Sequence, residues 1–199
     1  LLGRITIDDV VDVIREEADH SLTSLAGLAE EDTFAPVWQS APRRAIWLGV
    51  NLATALVASS VINVFQDTIE KVVALAVLMP IVASMGGIAG TQSLTILIRA
   101  MAMGQINDRN QLWLIGRESL VGLINGLLWA VVIAVTASVW FGDPILGVII
   151  ACAMLINLVT AGFTGAGLPI LLRKLRVDPA LAGGVLVTTV TDVMGFLAF

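Results

Sequence analysis

The chain has 199 residues, 57% of them apolar and 14% charged, with a mean hydropathy of +0.93. A soluble domain carries roughly a quarter charged residues, so this composition excludes one and points to a protein built for a membrane. The net charge of −5 gives no basis for a nucleic-acid partner, and the single cysteine, Cys152, excludes a disulfide framework or a thiolate metal cluster. Inside its apolar run Cys152 reads as a small buried hydrophobe.

The charges are unevenly spread: residues 1–42 hold nine Asp/Glu and two Arg. The opening "LLGRITIDDVVDV" lacks the basic start, apolar core and small-residue cleavage site of a signal peptide. It reads as a cut through a larger protein. Asp9, Asp12, Glu16 and Asp19 fall within about 80° of arc on a helix turning about 100° per residue. Acids so close repel one another, a repulsion that divalent cations relieve; a plainly solvated face is the alternative.

From residue 43 the chain becomes five stretches long and apolar enough to cross about 30 Å of hydrocarbon, which takes roughly 20 helical residues. They run approximately Ala45–Phe65, Val72–Ile98, Leu112–Phe141, Ile145–Leu172 and Ala180–Phe199. None alternates apolar and polar residues, so transmembrane strands are a poor alternative. The fold class expected is an all-α membrane protein with five transmembrane helices per subunit, preceded by a short cytoplasmic connecting helix. Arg43, Arg44, Arg99, Arg109, Arg173, Lys174 and Arg176 flank one side of the spans and Lys71 the other. Basic residues favour the cytoplasmic side, which places the N-terminus in the cytoplasm and the C-terminus outside.

Three spans depart from a plain apolar pattern: the second, the fifth, and the fourth, which contains Asn157, Gly162, Gly165, Gly167 and Pro169. The second, "MPIVASMGGIAGTQSLT", combines Pro80, Gly86, Gly87 and Gly90 with Thr91, Gln92, Ser93 and Thr95. Small residues let helices approach, as the Gly86/Gly90 and Gly122/Gly126 pairs suggest. Polar groups at membrane depth persist only when buried in protein or lining a wet cavity, so the second span also reads as a pathway wall. Arg117 and Glu118, early in the third span, read as a structural pair with snorkelling near the interface.

The fifth span carries "TTVTDVMG" with one carboxylate, Asp192. Fourteen residues beyond Asp178 it lies roughly 20 Å into the membrane at 1.5 Å per residue. A carboxylate there costs about 2.5–3.5 kcal/mol even on lenient scales, so water, a proton or a cation must accompany it. Thr188, Asp192 and Gly195 share one helical face, as a pore wall would require. One carboxylate binds a divalent ion poorly, but a two-fold dimer brings two to its axis. Oxygen ligands without His or Cys suit Mg²⁺, Ca²⁺ or Mn²⁺.

These residues resemble the MgtE magnesium channel family. The resemblance rests on "MPIVASMGGIAGTQSLTILIRAMAMG", "NLVTAGFTGAGLPILLRKLRVDPALA" and "LVTTVTDVMG" in their order and spacing. It implies a homodimer in the cytoplasmic membrane with the pore on the dimer axis, Mg²⁺ as the ion carried, and Asp192 as the principal metal site. Thr188, Gly195, Gly86, Gly87, Gly90 and Thr91 would shape the passage. Residues 1–30 are similar to the end of a CBS domain followed by the connecting helix that plugs the pore, giving a boundary at 42/43. Asp9, Asp12, Glu16 and Asp19 then become candidates for a regulatory Mg²⁺ sensor. Two positions depart from the family pattern: Ile88 stands where Asn commonly follows the paired glycines, and His20 and Ser21 follow Asp19 where an acidic pair is frequent.

The sequence holds no GxxxxGK[ST] phosphate loop, so ion entry driven by the membrane potential is expected rather than ATP-driven pumping. A secondary transporter exchanging H⁺ or Na⁺ for a divalent cation is the alternative, since a lone intramembrane carboxylate can also carry a proton. An intramembrane aspartyl protease needs two catalytic carboxylates and is disfavoured, because the deep part of the chain supplies one; no enzymatic role is expected.

Overall fold

A computed structural model of the chain describes residues 6–25 and 35–199, without the side chains of residues 15, 17–22, 24, 25, 68, 70 and 71. The described residues form seven helices and no strand: α1 (Ile7–Leu25), α2 (Val37–Val64), α3 (Gln66–Lys71), α4 (Val73–Ala102), α5 (Gln111–Phe141), α6 (Pro144–Lys174) and α7 (Pro179–Leu197). Five of them, α2 and α4–α7, are long and apolar enough to cross a membrane, and each coincides with an expected span. Helix α2 starts eight residues before its expected apolar stretch, and the short α3 was not foreseen. The chain divides into two compact units, Leu1–Asn51 and Leu52–Phe199.

In the first unit, α1 begins on a reciprocal cap. The Thr6 backbone N–H and hydroxyl donate to Asp9 Oδ2 at 2.7 and 2.8 Å, and the Asp9 N–H donates back to Thr6 Oγ1 at 3.4 Å. This Thr-x-x-Asp arrangement satisfies donors that the first turn leaves open. It also holds the Asp9 carboxyl below its ordinary value, the backbone bond from Thr6 contributing most.

In the second unit, the connections are short and chemically punctuated. Gly142 closes α5 in the left-handed region at φ 67°, and Asp143 then caps α6, its carboxylate accepting from Ile145 N with Pro144 in the first turn. Asp178 and Pro179 repeat the device for α7. Aspartate before proline suits a helix start because proline has no N–H to satisfy and its φ is preset.

Packing centres on α6, against which α4, α5 and α7 all lie. Glycine sets how closely. A Cβ on Gly122 or Gly162 would fall within 3.0 Å of the Leu158 or Glu118 carbonyl oxygen, and one on Gly126 within 3.0 Å of the Leu155 side chain. These pairings run in opposite chain directions, so α5 and α6 are antiparallel and joined backbone to backbone. Gly165 meets Gly90 and Ser93, and Gly86 meets Asn157, which sets α4 parallel to α6; the Gly90–Val187 and Gly183–Leu94 contacts set α7 antiparallel to α4. The main core gathers Leu78, Val82, Ala137, Ile150, Ala153, Met154 and Leu158.

Cys152 corrects its sequence reading: it is exposed on α6. In a membrane helix an apolar neighbourhood does not tell inside from outside, because the lipid-facing side is as apolar as the core. Glu118 is 3% exposed and held on both oxygens, by Arg117 Nη1 at 2.6 Å and by Ser93 Oγ of α4 at 2.9 Å. The two side chains pair, as the sequence suggested, and the pair reaches a third partner on another helix.

Candidate ion-pathway groove

Helices α4 and α7 together form a groove of about 870 Å³. From α4 come Gly87, Ile88, Thr91, Gln92 and Thr95, and from α7 come Thr188 and Asp192. These α4 positions recur at three- and four-residue spacing, which keeps them on one face, while the intervening Gly86, Gly90, Ser93, Leu94 and Leu97 are buried.

Three threonine hydroxyls in this wall, beside the hydroxyl of Ser84, have a common orientation. Thr91 Oγ1 donates to Gly87 O and Thr95 Oγ1 to Thr91 O, both at 2.8 Å. Thr188 Oγ1 donates to Gly184 O and Val185 O at 3.0 Å. A hydroxyl whose proton is committed to its own helix presents only lone pairs outward. These threonines therefore offer acceptor oxygens, joined by the half-buried carboxylate of Asp192, which has no hydrogen-bond or ion-pair partner among the described residues. Oxygen acceptors around an unpaired anion suit a hard cation or its water shell.

Of the seven groove and metal residues expected from sequence, four converge here: Gly87, Thr91, Thr188 and Asp192. The other three, Gly86, Gly90 and Gly195, are buried in helix contacts within the chain. Gly90 receives Val187, while Gly86 and Gly195 flank the side chain of Asn157. Helical-wheel spacing put Gly195 on the Asp192 face, but α6 closes on that face one turn beyond the carboxylate and fills it with Asn157. Ile88 lies in the groove wall, half exposed, so the departure from the family pattern places an apolar side chain among the oxygens.

In the sequence Asn157 is one polar residue among the glycines of the fourth span, with no role assigned to it. It is completely buried, its Nδ2 donates to Val82 O of α4 at 2.8 Å, and its Oδ1 has no partner. Its place four residues before Ala161 and five before Gly162, opposite the Gly86 position in the same parallel register, was the available signal. A buried amide at membrane depth persists only where helices converge on it.

On α1, Asp9, Asp12 and Glu16 are exposed, and Asp9 is already engaged by its cap. The side chain of Asp19 lies outside those described. Among the described residues no three His, Cys, Asp or Glu side chains gather as a metal group.

A set of helices long and apolar enough to cross a membrane, with an anionic groove between two of them, defines an integral membrane protein with a groove of the chemistry that suits cations. The family model described as "Divalent cation transporter", MgtE, matches residues 79–199, and the chain belongs to the MgtE family. It is similar to the Magnesium transporter MgtE of Bacillus subtilis, 36% identical over 200 residues, covering all of this chain and 44% of the relative. The proteins of that name from Enterococcus faecalis and Thermus thermophilus are 34% identical over 199 residues and 35% over 205, covering all of this chain and 44% and 45% of theirs. The chain thus spans less than half the length of these relatives. It is a multi-pass protein of the cell membrane.

Proposed function

We propose that the chain forms the pore part of a dimeric magnesium channel, in which two copies appose their α4/α7 grooves and bring two Asp192 carboxylates to the shared axis. The observation that carries this is the unpartnered Asp192 in a wall of outward-facing oxygens. Left against lipid, such a groove would be costly; covered by its own copy it becomes a closed, wet passage of doubled negative charge. The relatives' name, Magnesium transporter, supports Mg²⁺ as the ion.

Mg²⁺ sheds water reluctantly and holds oxygens at about 2.0–2.1 Å. Two carboxylates balance its charge, and the threonine oxygens accept hydrogen bonds from the water it keeps, so passage needs no complete dehydration. A divalent ion gains about 4.6 kcal/mol per 100 mV of inside-negative potential, enough to drive influx without ATP. The acidic face of α1 (Asp9, Asp12, Glu16 and, in the same register, Asp19) supplies the regulatory end of this reading: cytosolic Mg²⁺ would relieve its repulsion and favour the closed state.

The test is Mg²⁺ entry into proteoliposomes under an imposed potassium-diffusion potential, read with an internal Mg²⁺ dye. Asp192→Asn, matched for reconstituted protein, is expected to abolish entry. Undiminished entry would overturn the assignment. Entry that responds to a pH gradient but not to the potential would support a proton-coupled exchanger instead.

A further inference from the structure

A second cavity, of about 370 Å³, lies at the end of the bundle where α4 and α6 finish and α5 begins. Its floor is apolar, made by Met101, Ile106 and Ile170, and its rim carries Arg173, Lys174 and Gln111. Basic residues in the last turn of α6 complement the helix dipole, which explains their sign. It does not explain why they border an apolar-floored hollow, nor why neither side chain has a hydrogen-bond or ion-pair partner among the described residues. The rim also holds one acid, Asp108, whose Oδ1 accepts from Gln111 Nε2 at 3.3 Å and which pairs with neither cation.

The wall of this cavity is built in advance. Asn107 Oδ1 accepts from the backbone of Arg109 and Asn110 at 3.0 and 3.1 Å, and Asn110 Oδ1 accepts from Asn107 N at 2.9 Å. Asn110 Nδ2 donates to Gln105 O at 2.8 Å. These bonds fix the α4–α5 connection into one shape. The same end of the bundle carries Arg99, Arg109, Arg173, Lys174 and Arg176 against Asp108 and Asp178, so its field draws anions.

We propose that this cavity is a headgroup site for an anionic phospholipid, with Arg173 and Lys174 taking the phosphate and the Met101–Ile106–Ile170 floor taking the glycerol and first acyl carbons. Basic hollows between helices at a membrane surface hold such headgroups by this combination. The floor is what favours lipid over free phosphate, which would use the rim alone. Only the leaflet, not the site, rests on the cytoplasmic placement of this end.

The test is native mass spectrometry of the full chain in neutral detergent, titrated with dioleoylphosphatidylglycerol and, in parallel, dioleoylphosphatidylcholine. A cation at an anionic lipid surface contributes on the order of fivefold in binding, so Arg173→Gln with Lys174→Gln should weaken phosphatidylglycerol binding at least tenfold. Arg176→Gln, on the same end but outside the cavity, should leave it within twofold. Asp108→Asn should tighten it, a gain that misfolding cannot imitate. Equal binding of both lipids, an unchanged double variant, or an equal loss in Arg176→Gln would overturn the proposal. So would full displacement by millimolar inorganic phosphate. None of these readouts involves transport, so they are separate from the fate of the channel reading.

Discussion

Two glycines on α5 make opposite predictions. Gly122 faces α6, where an added methyl would come within 3.0 Å of Leu158 O and 3.3 Å of Val159 Cα, whereas Gly116, less than two turns earlier, has nothing within 4 Å. Ordinary contact begins near 3.4 Å, so Gly122→Ala must push two backbones apart by roughly half an ångström or more, and backbone, unlike a side chain, has no rotamer by which to yield. Overpacking of this kind costs about 1–3 kcal/mol, against a gain of about 0.5–1 kcal/mol from removing glycine's backbone freedom in a helix. At the middle of these ranges the net loss is about 1 kcal/mol, a midpoint lower by roughly 2–4 °C for a chain of this length. Gly116→Ala keeps only the gain and should raise the midpoint by a few degrees. The assay is thermal unfolding in one detergent, followed by tryptophan fluorescence and far-ultraviolet circular dichroism. If the two substitutions shift the midpoint equally, or Gly122→Ala is neutral, then α5 and α6 do not meet through Gly122.

A similar logic applies to Asn157. Gly86→Ala should destabilise the native chain but be tolerated in an Asn157→Ala background, because the atoms nearest the added methyl all belong to that amide; a double-mutant cycle on unfolding should give a coupling of about 0.5–3 kcal/mol, and additivity would contradict the contact. Arg117→Leu should cost about 2 kcal/mol, less than for a fully buried pair because the arginine is 51% exposed while Glu118 is 3% exposed. Adding Glu118→Leu should recover part of that loss, and a double variant worse than the single would refute the pairing. At the start of α1, the depressed Asp9 carboxyl stabilises the first turn above the ordinary carboxylate value of 3.8, and this support fades as pH falls below it through the folded value. Amide exchange in residues 7–10 should therefore quicken in acid, and Thr6→Ala should return the Asp9 carboxyl carbon titration toward the ordinary value.

The spans were legible because hydrocarbon thickness imposes a length and an apolar composition that few other segments share. Asp192 stood out for the converse reason: a carboxylate within such a span is costly, and the structure places it on the α4/α7 groove. Its groove partners were legible only in part. Glycine permits close approach but does not say to what, so Gly87 ended in the groove wall while Gly86, beside it, ended against Asn157. Cys152 was misread because hydropathy cannot separate a lipid-facing helix side from a core-facing one. The Thr6–Asp9 cap is written in the sequence as Thr-x-x-Asp before an apolar run, but Asp9 also belongs to the stripe of four acids, and that pattern does not distinguish a capping carboxylate from a free one. The Ser93–Glu118 bond spans 25 residues, a pairing that local periodicity has no means of announcing.

The backward-turned threonines carry a consequence for what the groove can discriminate. Thr91, Thr95 and Thr188 have their protons tied to their own helices, so they contribute fixed dipoles that neither swivel to greet a bare ion nor donate to a passing anion. In the proposed pore such a surface would serve as a template for the outer rim of a hydrate, meeting the spacing of water protons, and an ion that holds its shell loosely would present the wrong spacing however well its charge matches.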